Sequence, residues 1–403
     1  MRAAGVFEPL RHRDFRLLWV GQTVSMLGTF VDLVALPFQI LALGGTPVQL
    51  GIVGACFAAT QVLFLLFGGA VVDRLPRRAV ILASDFASAC VAGAVAALGF
   101  SGRLTIEHLY VASALFGITS SFFIPAMGAI IPELVPPDIL LAGNALRGFS
   151  RQAARVTGPV LGGVLVASAG PPTAFLVDAL TFLFSFGALF LASPPHAPHA
   201  AARTHILREV GQGLRFTFSL SWLWITIFGF ALVNAAIVGP LVVGLPVLVR
   251  DVLRGDASTF GAINAAVGVG EIVATLLVAR LPRGRSGTLM YLFVAVSGAA
   301  IAAIGVVAAL PVILLLAAAF GMTIVWFSVL WETSLQRHVP RDLLGRVTSV
   351  DYFGGTLLGP VAPPLFGIVI ERVGTAPAFV VSGVAVVAFS LAGLLVPSVR
   401  RLE

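Results

Sequence analysis

The sequence predicts an all-α integral membrane protein of twelve transmembrane helices, built as two pseudo-symmetric six-helix bundles. Three observations predict it: a composition that water does not favour, arginines that fall on one side of the spans, and an internal repeat. Of the 403 residues, 58% are hydrophobic and only 11% charged, and the mean hydropathy is +1.02, whereas about a quarter of residues are charged in a soluble domain. A spanning helix needs roughly 20 apolar residues, and such stretches recur between short turns carrying Gly, Pro and Arg. Runs such as 50–72 are almost continuously apolar. A transmembrane barrel, with strands alternating over about ten residues, is excluded.

Taken in order, the apolar runs place spans 1 to 6 near 15–41, 48–72, 79–100, 108–131, 139–168 and 172–193. Spans 7 to 12 follow near 221–249, 256–280, 287–309, 311–335, 343–370 and 374–397. An N-terminal bundle over 1–193 and a C-terminal bundle over 221–403 are thus joined by 194–220, whose Pro194, Pro195 and Pro198 mark it as a cytoplasmic linker. Its part 204–218 reads as an amphipathic helix on the inner leaflet, with Arg208 and Arg215 toward headgroups. Residues 1–16 are polar and basic and lead into a run long enough to span, so no cleavable signal peptide is expected. Cys56 and Cys90 lie inside spans as small buried hydrophobes, without a disulfide or metal site.

The chain contains no lysine, so its arginines carry the orientation signal. Those of the N-terminus, of loops 2–3, 8–9 and 10–11, of the linker and of the C-terminus fall on one side. The other side receives only Arg103, Arg250, Arg254 and Arg372. Positive loops stay cytoplasmic, which places both termini on the cytoplasmic side of the cell membrane and makes the span number even. The same one-sided basic loops account for the formal charge of +7 without nucleic acid.

Comparing the halves at a shift of about 204 residues aligns Pro137-Asp138 with Arg341-Asp342, Pro159 with Pro363, Gly163 with Gly367, and Gly170 with Gly374. Ala174-Phe175 meets Ala378-Phe379, and the turn Arg74-Leu75-Pro76-Arg77 is matched by Arg280-Leu281-Pro282-Arg283. Parallel copies with an even span number place the pseudo-axis along the membrane normal.

Several residues then resemble a known family. The run Gly69, Asp73, Arg74, Arg77 and Arg78 is similar to the loop 2–3 signature of the major facilitator superfamily, with Pro76 in place of the usual Gly. Gly158-Pro159 followed by Gly162-Gly163 in span 5 resembles the core of the antiporter motif, with Ala154 where a glycine often stands. The opening 15–22 and Ala35-Leu36-Pro37 resemble the drug:proton antiporter branch that includes macrolide efflux proteins and the enterobactin exporter. The resemblance implies a secondary transporter exporting small amphipathic compounds, drugs or siderophore-like metabolites, with the loop signature as a gate. It implies protons as the coupling ion and no cofactor. Physically, small residues let helices approach closely in lipid, and Asp73 beside three arginines could clamp one side shut by ion pairing. An ordinary basic turn gives the same residues.

Ionisable residues inside spans are costly and mark functional positions. Asp32 lies near mid-span 1, and Gln22, Ser25, Thr29, Asp32 and Gln39 share an arc of roughly 100 degrees. That polar stripe is expected to line water, with Asp32 as a proton or substrate site; the alternative is a static hydrogen-bonded group. Span 8 carries Asn264, Gly268, Glu271 and Thr275 on one face, with Glu271 as the C-half counterpart or as part of a packing face. Asp85 and Glu332 read as structural, near Arg78 and Arg337, and Asp178 as either. In span 5, Asn144, Arg147, Arg151 and Arg155 align, and Arg155 requires a cavity or a carboxylate such as Asp85. Phe57, Phe64, Phe122, Phe123, Trp326, Phe327 and Trp331 offer apolar and stacking contact to a substrate, or simply pack helices.

Other function classes fit less well. A P-loop pump needs a lysine, and none exists. An integral membrane enzyme would need a motif such as H-E-x-x-H or G-x-S-x-G, and neither occurs. A lipid flippase or an importer on the same fold remains compatible. One chain contains both halves of a pathway, so a monomer suffices.

Overall fold

The computed structural model describes residues 5–72, 74–193, 206–282 and 284–402. All regular structure in them is helical. The helices are α1 (Arg13–Ala42), α2 (Pro47–Val72), α3 (Arg77–Phe100), α4 (Ile106–Leu134), α5 (Leu140–Ala169) and α6 (Pro171–Phe190). After α7 (Ile206–Ser219) come α8 (Ser221–Asp251), α9 (Ala257–Arg280), α10 (Ser286–Val306) and α11 (Leu310–His338), with short irregular turns inside α8 and α9. Then follow α12 (Arg341–Thr356), α13 (Ala362–Val373) and α14 (Thr375–Gly393).

Local chemistry sets these limits. Thr46 and Gln49 cap α2 reciprocally, the Thr46 N–H donating to Oε1 at 2.9 Å and the Gln49 N–H to Oγ1 at 3.3 Å. Asp256 does the same work at the start of α9, its Oδ1 accepting the N–H groups of Ser258 and Thr259 at 3.0 and 3.2 Å. The bonds from Ser258 and these amides hold its carboxyl below the usual range. Gly170 and Gly374, 204 positions apart, both turn the chain with positive φ, 78° and 89°, into the next helix, a conformation open mainly to glycine.

Among the described residues, ten helices are long and apolar enough to cross a membrane. Two of the twelve predicted spans fall outside that set. The α5 helix runs for 30 residues, but Arg147, Arg151, Arg155 and a Gly-Pro-rich centre dilute its apolar character. Span 11, expected as one element over 343–370, is broken between Thr356 and Ala362 into α12 and α13. Pro360, Pro363 and Pro364 remove three backbone donors within five residues there, and a helix interior does not tolerate that. Proline also explains the wide turn at Pro240–Gly244 within α8, where Pro240 and Pro246 interrupt the regular ladder.

Contacts divide the chain into two compact units, Met1–Ala201 with Gly255–Ala265, and Ala202–Arg254 with Ala266–Glu403. Each is held in the same way. In the first, α2 meets α4 where Gly68 abuts the Ser121 carbonyl and Gly117 the Phe57 carbonyl. In the second, α9 meets α11 where Gly270 abuts the Ala318 carbonyl and Gly321 the Val267 carbonyl. A Cβ at any of the four would strike backbone, so glycine is required for these approaches. The repeat visible in sequence is therefore also a repeat of packing. Large apolar side chains such as Leu63, Leu276 and Leu315 are 63%, 76% and 71% exposed, which lipid, not water, accommodates.

The α7 helix packs one face on α12, with Gly213 against the Arg346 carbonyl and Thr217 fully buried. Arg215 remains exposed. Without a side chain at 213, the helix comes close enough to use α12 as its apolar support.

Candidate functional site

Small residues on α1 determine how its polar face is used. Gly21 lies against Ala188 and Ser185 of α6, and Gly28 against Thr181 and Asp178 of the same helix. The close approach of α6 buries Gln22 and Ser25 of the polar stripe, whereas Thr29 stays exposed and Asp32 half-buried. Gln22 is 3% exposed, and its Nε2 donates to Asp85 Oδ2 at 3.3 Å and to Ser185 Oγ at 2.8 Å. Ser185 Oγ donates in turn to Asp85 Oδ2 at 2.8 Å. Three helices, α1, α3 and α6, are thus joined by one buried polar cluster. Ser25 and Gln39 are also buried, and Thr29 donates to the Ser25 carbonyl at 3.1 Å. Asp85 takes its partners from α1 and α6, not from Arg155, which is half-buried on α5, nor from Arg78.

One turn beyond Gly28 on α1, Asp32 faces a second carboxylate. Asp178 is 2% exposed, with Oδ1 seated over Gly28 and 3.4 Å from Thr181 Oγ1. It lies within electrostatic reach of Asp32. Asp32 Oδ1 is buried and has no hydrogen-bond partner among the described residues. Two acids within electrostatic reach of each other, with no basic partner among the described residues and one oxygen unsatisfied, form an arrangement suited to holding a proton or small cation between them.

The basic turn is tied to other helices. Asp73 lies outside the described residues, Gly69 belongs to α2, and Arg74 is exposed. Arg77 pairs with Glu133 of α4. Arg78 donates from Nε and Nη2 to the Leu189 and Phe190 carbonyls at 3.2 and 2.7 Å, and its guanidinium lies 5.9 Å from the Phe190 ring centroid. A cation on the last carbonyls of α6 satisfies a helix end and its dipole. Two arginines of the signature therefore fasten the start of α3 to α4 and α6. Replacing Glu133 by Gln leaves Arg77 without its counter-charge and is expected to cost about 2 kcal/mol. Thermal unfolding in detergent checks this, and recovery in the reversed pair R77E/E133R distinguishes pairing from packing. Equal melting of E133Q and the parent rejects the clamp.

The glycines of the antiporter-like motif have separable neighbours. Gly158 abuts Phe30, and a Cβ on Gly162 would lie 2.9 Å from the Val31 backbone, so these two seat α5 on α1. Gly163 faces the start of α9, where a Cβ would lie 2.7 Å from the Ala257 carbonyl. Gly261 in turn abuts the Pro159 carbonyl. Ring contact between Phe38 and Phe260 at 5.8 Å supports the same approach.

In α9, Asn264 donates to the Phe260 carbonyl at 3.0 Å, and Thr275 to that of Glu271 at 2.9 Å. Glu271 is 8% exposed. Trp326 of α11 donates Nε1 to the Ala274 carbonyl at 3.1 Å and meets Phe293 at 5.0 Å, which makes it a packing residue between helices. Phe230, Phe327 and Trp331 stack at 4.4 and 6.5 Å. Phe64 touches Phe122 at 6.5 Å.

Sequence reasoning missed Glu133 as the partner of Arg77, Asp178 as the neighbour of Asp32, and Asp351 altogether. Gly28, four residues before Asp32, was the available signal for Asp178, since a glycine on a membrane helix marks a close neighbour. Nothing in the spacing identifies Glu133.

The profile of a family described as transmembrane secretion effector matches residues 4–402. An enterobactin exporter of Shigella boydii serotype 18 is 28% identical over 367 residues, spanning 86% of this chain and 85% of its own length. One from Citrobacter koseri is 29% identical over 370 residues, with the same shares. Among solved structures, the nucleoside transporter NupG superposes with a TM-score of 0.77 at 13% identity, covering 95% of this chain and 98% of its own. A bacterial homologue of the iron transporter ferroportin in an inward-facing state gives 0.69 at 20% identity, covering 94% and 98%. At such identities these structures share the fold.

Proposed function

Because this chain belongs to the transmembrane secretion effector family of major facilitator transporters, we propose that it exports small amphipathic compounds by proton-coupled alternating access. The reading places it in the cell membrane with both termini cytoplasmic, on the strength of the one-sided arginines. Export is supported by the relatives named as exporters. Siderophore-like metabolites and drugs are the substrate classes that follow.

The observation that carries the coupling is the Asp32–Asp178 pair with its unsatisfied oxygen. Two carboxylates that share a site away from water repel each other, and a proton taken up between them removes that repulsion. When the site opens to the other side and hydrates, the charged forms are again stabilised and the proton leaves. Asp32 is the member that exchanges, since its Oδ1 has no bond to break. Asp178, held over Gly28 and beside Thr181, positions the charge it responds to.

Reconstitution into vesicles with an imposed pH gradient tests this. Substrate accumulation is expected to follow the gradient and to collapse when an ionophore dissipates it. Accumulation that ignores the gradient overturns the coupling, and accumulation driven by sodium alone reassigns the ion.

A further inference from the structure

The second unit contains a groove that the coupling reading does not use. It lies between α11 and α12, encloses about 370 Å³, and is lined by Trp331, Glu332, Gln336, Leu344, Asp351 and Tyr352 among others. That volume is within the range of drug-sized sites, roughly 300–1,000 Å³. Its two acids are neighbours, close enough for the charge of Glu332 to act on Asp351. Neither has an ion-pair partner among the described residues, and no basic side chain lines the groove. Sequence reading assigned Glu332 to Arg337, but both are exposed and unpaired with each other, and the charge that Glu332 meets is Asp351.

The walls are built to stay in place. Trp331 donates Nε1 to Asp351 Oδ2 at 3.0 Å, which fixes one carboxylate oxygen and leaves the other for a ligand. Its ring stacks on Phe327 with 7° between planes and meets Trp222 edge-on at 6.0 Å, so it is rigidly buried at 7% exposure. Tyr352 is 49% exposed and available to cover a ligand. Two uncompensated carboxylates beside aromatic walls and an apolar floor are the chemistry that recognises a bulky organic cation, by charge on one side and ring contact on the other. An anionic compound would meet only repulsion there.

We infer that the α11–α12 groove is a binding site for amphipathic organic cations bearing aromatic rings. The inference rests on the transporter reading and deepens it by naming a substrate class, independently of how transport is driven.

The test is equilibrium dialysis of tetraphenylphosphonium against the purified full-length chain in detergent, without any gradient. The probe carries a permanent charge, so pH does not alter it. Saturable binding is expected, weakened about tenfold or more in the double variant E332Q/D351N. Asn at 351 still accepts the Trp331 N–H, so the wall persists. Triphenylphosphine oxide, a neutral compound of similar shape, is expected to bind about tenfold more weakly than the cation. Leu344→Trp, which fills the groove and keeps both carboxylates, should also abolish binding. Unchanged affinity in E332Q/D351N, or equal affinity for the neutral compound, overturns the inference. Because no gradient is applied, failure of proton coupling leaves this result standing, and failure here leaves gradient-driven export of other compounds intact.

Discussion

Replacing Asp32 by Asn is expected to lower pH-gradient-driven accumulation in vesicles by about tenfold or more, equivalent to at least about 1.4 kcal/mol of lost driving interaction. Asparagine mimics the protonated acid in size and hydrogen bonding but cannot release a proton, so the cycle loses its exchange step. Gradient-independent substrate exchange is expected to persist, because the fold needs no charge at this position: Asp32 Oδ1 makes no hydrogen bond whose loss would unfold the helix pair. Asp178→Asn is expected to reduce the gradient response as well, but less severely, since it keeps the side chain's shape over Gly28 and removes only the charge to which Asp32 responds. Should Asp32→Asn accumulate substrate as the parent does under the same gradient, the carboxyl pair is a static contact.

The second large effect is steric. A Cβ on Gly261 meets the carbonyl of Pro159, a backbone atom that cannot rotate away, so Gly261→Ala must push the start of α9 off α5. Overpacking of this kind costs about 1–3 kcal/mol. If that contact has to form in each transport cycle, the rate falls by about tenfold or more at the upper part of that range. Gly163→Ala, aimed at the Ala257 carbonyl from the other side, should act in the same direction. Gly187 in α6 has open space beside it and is the control, expected to transport normally as Ala. Initial rates measured in vesicles with matched protein content decide the matter. Equal rates for Gly261→Ala and Gly187→Ala show that the contact is incidental.

Much of the candidate site was legible in the sequence as residues, but not as pairs. Asp32 stands out because an acid inside an apolar run is expensive wherever it points. Gln22 stands out for the same reason, yet its role differs: bonded to Asp85 and Ser185, it holds three helices together. A polar arc on a helix wheel does not distinguish a face turned to water from a face turned to another polar helix, and for Gln22 the close approach of α6 at Gly21 and Gly28 decides the matter. Trp326 and Trp331 look alike in sequence. One donates to a carbonyl inside a helix interface and the other orients a carboxylate in a groove.

By itself the sequence determined that the chain is helical and membrane-spanning, that it is doubled, and where most helices begin. Those properties follow from composition and from local rules, since apolar length, proline, glycine and caps act within a few residues of themselves. The tertiary structure alone decided that Arg77 meets Glu133, that Asp178 faces Asp32, that span 11 breaks into α12 and α13, and that one face of α7 packs on α12. Charges and hydrogen bonds act through space over a few ångströms, and in a helical bundle those few ångströms join residues far apart in sequence, 56 positions for Arg77 and Glu133. The two halves repeat because one pattern occurs twice in the sequence; which side chains meet within each half depends on which helices its glycines let come together.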